Sequence, residues 1–373
     1  MKILFCDNTL WGLVNFRGPV INHFLSKGYE VVLVAPEKED KQMRISVPSG
    51  VKYIPIDMGR TSTNPLNDVK LLFKLISIYN KEKPDFVFHY TIKPNIYGTI
   101  AARICGAHTT AMMPGLGYAF TSNTFSSLIA RLLYKNGLTL THHLFLLNES
   151  NKKMVDELHI CSKNKIVLLK QGEGIDCEVF KAHDNHSNKI TFLFIGRILY
   201  DKGYKQFVDA ARIVKAQYPN VHFDLLGALD PSFPNSVPES QIRADEKECL
   251  IHYRGFTNDM LGVYREPGIV ITLPSFYGEG MNRSLMEACA SGKPIITTNI
   301  AGCRELVRDG KNGYIIATKN SQALSDAIIK YIKLSDEEKQ SFSEQSRKLA
   351  LENFDIKFVI EQYDKIISIK TAK

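Results

Sequence analysis

Apolar runs of strand length alternate with longer segments of helical periodicity along nearly the whole chain. "KILFC" is followed by the helix-like "NFRGPVINHFLSKG", closed at Gly28, and then by a second buried strand, "YEVVLVAP". A strand, a helix and a strand in succession return the chain to the same edge, so the strands run parallel. The pattern continues through "PDFVFHY", "TTAMM", "HHLFLLN" and "KIVLLK", with helical segments between them. The polar, aperiodic "AHDNHSNK", residues 182–189, interrupts it and reads as a linker. Alternation restarts at "ITFLFIG" and runs to "GYIIAT", and further helices close the chain. At 373 residues the chain exceeds one ordinary core. The expectation is an α/β chain of two doubly wound parallel-sheet domains facing each other. Ligands of such sheets sit beyond the C-terminal ends of the strands, so a cleft between the domains would collect loops from both.

Composition narrows the class. No apolar run approaches the ~18 residues of a membrane span, and the start "MKILFCDNTL" lacks the long apolar core and cleavage site of a signal peptide. Seven cysteines form no CxxC pair, which points to reduced thiols rather than a disulfide framework or zinc site. A cytoplasmic location fits these features. The net charge of +8 favours anionic partners, nucleotides and acidic lipid headgroups among them. The absence of a long Lys/Arg block gives nucleic acid little support.

Three stretches after second-half strands carry chemistry. In "GRILYDKG", Arg197 follows a strand and Lys202 stands just before the next helix. Two cations there suit a diphosphate, with the helix N-terminus adding to them. In "HYRGFT", Arg254 and its neighbours offer a ring, a cation and backbone amides to a nucleotide base. In "SFYGEGMNRSLMEA", Gly278 and Gly280 let backbone amides approach a ligand. Met281, Asn282 and Arg283 are expected to begin a helix, so their N–H groups, with the Gly280 backbone beside them, form an anion cradle. Glu279 and Glu287, eight positions apart, span roughly 12 Å on a helical scale, about the reach from a ribose across two phosphates to a sugar. Carboxylates suit polyols because each oxygen accepts two donors. Glu287, within the mostly small and apolar "SLMEACASG", calls for a specific partner.

At this point a family resemblance emerges. "EGMNRSLMEA" resembles the E-x7-E signature of retaining glycosyltransferases of family 4, and "GRILYDKGYKQFVDAA" their Arg-x4-Lys stretch. "GKPIITTNIAGCRELVRDGKNGYII" is similar to the family's next strand, loop and helix. The likeness covers about residues 190 to 350. "FHYTIKPNIYG" and "MMPGLGYAF" resemble the subgroup that adds a sugar, often an N-acetylhexosamine, to a lipid-linked glycan precursor in bacteria. The resemblance implies a GT-B fold of two Rossmann-like domains around a cleft. An acceptor-side domain would cover 1–183 and a nucleotide-sugar domain 184–352, with a helix at 353–373 packing back on the first. It implies that Arg197 and Lys202 neutralise the diphosphate of a UDP-sugar donor, Glu279 contacts the donor sugar, amides from Gly280 to Asn282 hold phosphate, and Glu287 binds the ribose. No Asp-x-Asp motif occurs, which fits the family's metal-independent chemistry; no metal or other cofactor is expected. The resemblance also implies a lipid-linked or saccharide hydroxyl as acceptor, whose proton would pass to a donor phosphate oxygen.

The first half is less explicit. "DNTLWGLVNFRG" is no dinucleotide fingerprint, but Gly12 offers backbone amides to the diphosphate, and Asn15 and Arg17 reach toward the cleft in this reading. His89, after "DFVF", is the candidate polar group near the sugar; His108, in a turn, reads as structural. The "MMPGLGYAF" stretch departs from the Thr-x-His-Asp type common in the family. "NTFSSLIARLLYKNG" puts Phe125, Leu128, Ile129, Leu132 and Leu133 on one helical stripe, with Arg131 and Lys135 off it. Such a helix suits either an anionic inner-membrane surface or the core of the domain. A sugar-nucleotide epimerase and a non-catalytic basic protein binding membrane or nucleic acid are the competing readings.

Overall fold

The computed structural model describes residues 1–37, 47–58, 65–115, 125–231, 233, 235–278 and 280–371. Glu279 and residues 116–120 of "MMPGLGYAF" therefore lie outside the described residues. The chain divides into two compact units, Met1–Glu173 with Ile356–Lys373, and Gly174–Asp355.

The first unit is built on seven strands: β1 (Lys2–Cys6), β2 (Glu30–Ala35), β3 (Lys52–Pro55), β4 (Phe86–Tyr90), β5 (His108–Met113), β6 (His143–Leu146) and β7 (Ile166–Leu168). They pair in parallel in the order β3-β2-β1-β4-β5-β6-β7. β4 is buried at every position, because a parallel sheet is covered on both faces and its central strands carry apolar side chains toward both. The order reverses direction between β1 and β4, a topological switch point. Helices α1 (Leu10–Ser26), α2 (Pro65–Glu82), α3 (Thr99–Ile104), α4 (Phe125–Thr139) and α5 (Glu149–Glu157) connect these strands.

The second unit holds β8 (Thr191–Ile195), β9 (His222–Leu226), β10 (His252–Tyr253), β11 (Ile269–Leu273), β12 (Ile295–Thr298) and β13 (Gly313–Ile316). These pair in parallel as β10-β9-β8-β11-β12-β13, with the switch between β8 and β11. The helices are α6 (Tyr204–Lys215), α7 (Glu239–Lys247), α8 (Met260–Arg265), α9 (Arg283–Ala290), α10 (Ser321–Ile332) and α11 (Asp336–Asn353). The polar stretch 182–189 lies inside this unit. Buried Lys293 donates to the Asn185 side chain at 2.7 Å and to the Glu266 carbonyl at 2.7 Å, and the Asn185 carbonyl accepts from Gly268. Upstream, Arg347 of α11 donates to the carbonyls of Cys177 and Phe180.

The last helix, α12 (Ile356–Thr371), belongs to the first unit. Its Tyr363 is buried among Phe88, Phe145 and Phe24, with ring centroids 4.8, 5.0 and 6.4 Å away. Its hydroxyl lies 2.7 Å from that of Tyr90.

Candidate active site

The C-terminal ends of β8 and β11 flank the switch point of the second sheet, where open α/β sheets take their ligands. β8 leads through Gly196 and Arg197 into a 3₁₀ turn, Tyr200–Lys202, and then into α6. β11 leads through Pro274–Gly278 into α9. The two exits touch: the Phe276 N–H donates to the Asp201 carbonyl at 2.9 Å. Gly203 makes that approach possible. It sits at φ +90°, and a Cβ there would fall 2.3 Å from the Pro274 oxygen, so no larger residue fits without moving one loop.

This packing gathers the predicted cations. Lys202 is 8% exposed, and its ammonium lies 5.2 Å from the centre of the Tyr277 ring. The Arg197 guanidinium stacks 3.8 Å over Phe233, whose ring is 6.3 Å from that of Tyr277. Asn235 ties in the Phe233 loop by donating to Asp201 at 2.8 Å. Sequence reasoning found the cations but not Phe233 and Tyr277, which support them from separate loops.

Asn282 starts α9 as its N-cap, accepting the Leu285 N–H at 3.0 Å. Its own N–H donates to the Gly302 carbonyl at 2.8 Å, so it holds the cradle in shape and is not itself a free donor. Gly280 and Met281 are buried beside it. The Met281 and Ser284 N–H groups have no acceptor among the described residues. Amides left open in this way are the kind a helix start can offer to an anion.

One turn into α9, Glu287 accepts from Arg283 Nε at 2.8 Å and lies 3.4 Å from the Tyr264 hydroxyl. That hydroxyl donates at 2.8 Å to the Ser284 carbonyl, and Arg283 also donates to the Gly174 carbonyl at 2.9 Å. The specific partner expected for Glu287 is therefore Arg283, four residues earlier on the same face. It fixes one carboxylate oxygen and leaves the other only a long contact.

Three expectations need correction. Arg254 does not offer its guanidinium to a ligand: it is held at 2.6 Å by Asp224 and at 2.8 Å by both oxygens of Glu266. Gly12 spends its amide inside the chain, donating to the Thr9 hydroxyl that caps α1 at 2.8 Å. His89 is wholly buried. Its ring nitrogens lie 3.0 Å from the Tyr79 and Thr109 hydroxyls, and the ring fills space that a side chain on Gly98 would occupy. Burial pushes its pKa down to about 3, so it stays neutral, enclosed by core groups. Arg17 is also buried, paired with Glu173 at 2.9 Å, whereas Asn15 is exposed.

The first sheet has a polar group at its own switch point that sequence reasoning missed. Asp7 follows β1, and Thr91, after β4, donates to it at 3.3 Å. Burial raises its pKa to about 6 against the lowering effect of Arg17. In "FCDNT" it reads only as a polar residue ending a strand.

A family model described as "Glycosyl transferases group 1" matches residues 177–349, and one described as "Glycosyl transferase 4-like" matches residues 2–148. The chain belongs to the glycosyltransferases. Among curated relatives, this glycosyltransferase is 28% identical to the N,N'-diacetylbacillosaminyl-diphospho-undecaprenol alpha-1,3-N-acetylgalactosaminyltransferase of Campylobacter jejuni, over 88% of each chain. It is 27% identical to the UDP-Gal:alpha-D-GlcNAc-diphosphoundecaprenol alpha-1,3-galactosyltransferase of Escherichia coli, over 71% of this chain and 70% of that one. Among solved structures, sucrose-phosphate synthase from Thermosynechococcus elongatus superposes with a TM-score of 0.81 at 14% identity, covering 100% of this chain and 99% of the other. HepE of Anabaena, solved with UDP, gives 0.75 at 17% identity over 99% and 100%. The fold is GT-B.

The corrected position of His89 carries a prediction for this glycosyltransferase. His89→Leu leaves the Tyr79 and Thr109 hydroxyls without their partner and costs about 1–3 kcal/mol of stability. Turnover of the folded variant stays within about threefold of wild type, since no transition-state contact is lost. A denaturant melt beside a transfer assay checks both; a hundredfold drop in turnover of folded protein would return His89 to the catalytic set.

Proposed function

We propose that this glycosyltransferase moves a sugar, an N-acetylhexosamine or hexose, from a UDP-sugar to a hydroxyl of a lipid-linked or saccharide acceptor in bacterial glycan synthesis. The anomeric configuration is retained and no metal takes part. The observation that carries the reading is the meeting of Arg197, Lys202 and the start of α9 at one switch point. Two cations and a set of backbone amides converge there, the equipment needed to hold a diphosphate and to stabilise it as it leaves. Glu287, fixed by Arg283, accepts the ribose hydroxyls, and Glu279 accepts those of the donor sugar. In the step itself the bond from the anomeric carbon to the diphosphate oxygen breaks. A bond from that carbon to the acceptor oxygen forms on the same face, and the acceptor proton passes to a donor phosphate oxygen. UDP leaves with the electron pair of the broken bond. The relatives named for undecaprenol-linked substrates support a polyprenyl-diphosphate sugar as acceptor.

The test begins with melting curves in UDP, GDP, CDP and their sugars. A nucleotide at 100 times its dissociation constant stabilises the protein by about 2.7 kcal/mol, and the UDP series is expected to give the largest shifts. UDP release is then followed with and without a polyprenyl-diphosphate sugar, in buffer containing EDTA. Acceptor-dependent release of UDP and an α-linked product from an α-linked donor support the proposal. An isomerised donor formed without acceptor would replace transfer by epimerisation, and no nucleotide-dependent shift would remove the donor site altogether.

A further inference from the structure

The first sheet has its own switch point, between β1 and β4, and the strand exits there hold two groups that the donor chemistry leaves unassigned. Thr91, half-exposed, leaves β4 at φ +66°. A β-branched residue is rarely found in that left-handed region, and such strain persists only where the surroundings fix it. They do so from both sides. Tyr90 is still in register with Met112 of β5, and the Thr91 carbonyl accepts the Asn95 N–H at 3.0 Å, where the π-helical turn Pro94–Gly98 begins. Asp7, just past β1, is buried. One of its oxygens accepts the Asn8 N–H at 2.6 Å and the Thr91 hydroxyl at 3.3 Å. The other lies over the first turn of α1, where a Cβ on Gly12 would stand only 3.2 Å away.

The direction of one proton decides what this edge can bind. The Thr91 hydroxyl has a single hydrogen, and its acceptors among the described residues, Asp7 and the Tyr90 carbonyl, both belong to the sheet side. The hydrogen therefore points inward and the lone pairs outward. Lone pairs presented in this way accept a ligand O–H and repel an anion. The neighbouring cations do not change that balance. Arg17 gives both terminal nitrogens to Glu173 at 2.9 and 3.0 Å, and Lys93 pairs with Asp68 at 2.8 Å. We propose that Thr91 accepts a hydroxyl of the acceptor sugar and that Asp7 is the positioning residue that keeps the Thr91 proton turned away. The inference rests on the proposed function, which supplies the sugar acceptor. Asp7 also makes the contact depend on pH. The groups facing it are Arg17 of α1, Glu173, the uncharged Asn8 and Thr91, and the Cys6 thiol, kept neutral because burial pushes its pKa up to about 12. Burial outweighs the lowering effect of Arg17 and holds the Asp7 carboxyl at about 6. Above that pH the carboxylate holds the Thr91 proton. Below it the carboxyl becomes a donor and occupies the lone pair that the sugar needs, so capture of the acceptor weakens.

The test is transfer kinetics of the full chain, with a short-chain, water-soluble polyprenyl-diphosphate N-acetylhexosamine as acceptor and with its monodeoxy analogues. Thr91→Gly removes the hydroxyl and suits a φ of +66°, so it keeps the fold, which a melt confirms. It is expected to raise the acceptor KM about tenfold, the worth of one neutral hydrogen bond, and to leave the donor KM unchanged. Thr91→Ser keeps the hydroxyl and is expected to restore wild-type values. One monodeoxy acceptor should lose the same factor with wild type and nothing further with Thr91→Gly. The acceptor kcat/KM of wild type is expected to fall as pH drops through about 6, and Asp7→Asn to abolish that step. An acceptor KM of Thr91→Gly within about twofold of wild type, or a pH step that survives Asp7→Asn, overturns the proposal. So does equal use of every deoxy acceptor by wild type. Failure of wild type to transfer to any acceptor is a separate result, which removes the proposed function and this contact with it.

Discussion

Replacing Lys202 by alanine lowers the turnover of sugar transfer by about 10²–10³-fold, the usual effect of removing one preorganised group that meets charge as it develops. The expectation follows from how the residue is held. Lys202 ends a 3₁₀ turn that Gly203 closes at φ +90° against Pro274, and the residue is buried with its ammonium beside Tyr277. A cation fixed in this way does not reorganise when the diphosphate gains charge, and the low local polarity strengthens each interaction it makes. If it acts on the leaving group, the loss falls mainly in kcat, with a smaller rise in KM for the UDP-sugar. Lys202→Arg does not restore turnover, because a planar guanidinium does not fit a slot shaped for an ammonium beneath a ring. Steady-state rates with varied donor, alongside a melt confirming the fold, decide the matter. Turnover within a few-fold of wild type in a folded Lys202→Ala enzyme would remove the cation from the mechanism and leave the diphosphate to Arg197 and the α9 amides.

Much of the architecture was legible because central parallel strands are apolar along their whole length. "FLFI" and "IVITL" can serve little else than buried strands, and the alternation with helices then dictates parallel pairing. The spatial order of strands is another matter. Nothing local in "KYIP" or "DFVFHY" announces that the chain crosses from one edge of the sheet to pair β4 with β1, yet that crossover creates the switch point. The same limit explains the corrections. His89 looked like a strand exit, but β4 runs on through Tyr90 and turns the imidazole toward Tyr79 of α2. Arg254 looked like a free cation because its partners, Asp224 and Glu266, lie on other elements. The apolar stripe expected on α4 is split by the fold: Leu133 packs with Tyr134 and Leu138 against the core, whereas Leu128, Ile129 and Leu132 are exposed, because spacing carries no information on which way a helix faces. Arg197 and Lys202 were legible because one loop carries both, and a loop's position at a strand exit follows from local sequence.

Tyr363→Ala is expected to be the most damaging single change to the stability of the first unit. The ring sits in the sheet's aromatic core, against Phe24 of α1, Phe88 of β4 and Phe145 of β6, so one side chain joins a terminal helix to an element on each side of the switch point. Truncating a buried aromatic to alanine costs about 3–5 kcal/mol. The Tyr90 hydroxyl also loses the partner 2.7 Å away and remains buried, adding roughly 1–3 kcal/mol. For a unit of this size each kcal/mol moves the midpoint by about 2–4 °C, so its melting falls by ten degrees or more. Tyr363→Phe keeps the ring and costs only the roughly 1–3 kcal/mol of the unpaired Tyr90 hydroxyl, which separates packing from hydrogen bonding. The ion pairs of Asp364 with His23 and Lys27 do not compensate, because exposed pairs contribute little and cannot hold a helix whose buried anchor is gone. Hydrogen exchange localises the effect: in Tyr363→Ala the amides of α12, α1 and the strand β4 lose protection together, while those of β8, β11 and α9 keep theirs. Uniform loss across both units would mean that they unfold as one. An unchanged melt would mean that α12 contributes nothing to the first sheet, contrary to every contact its tyrosine makes.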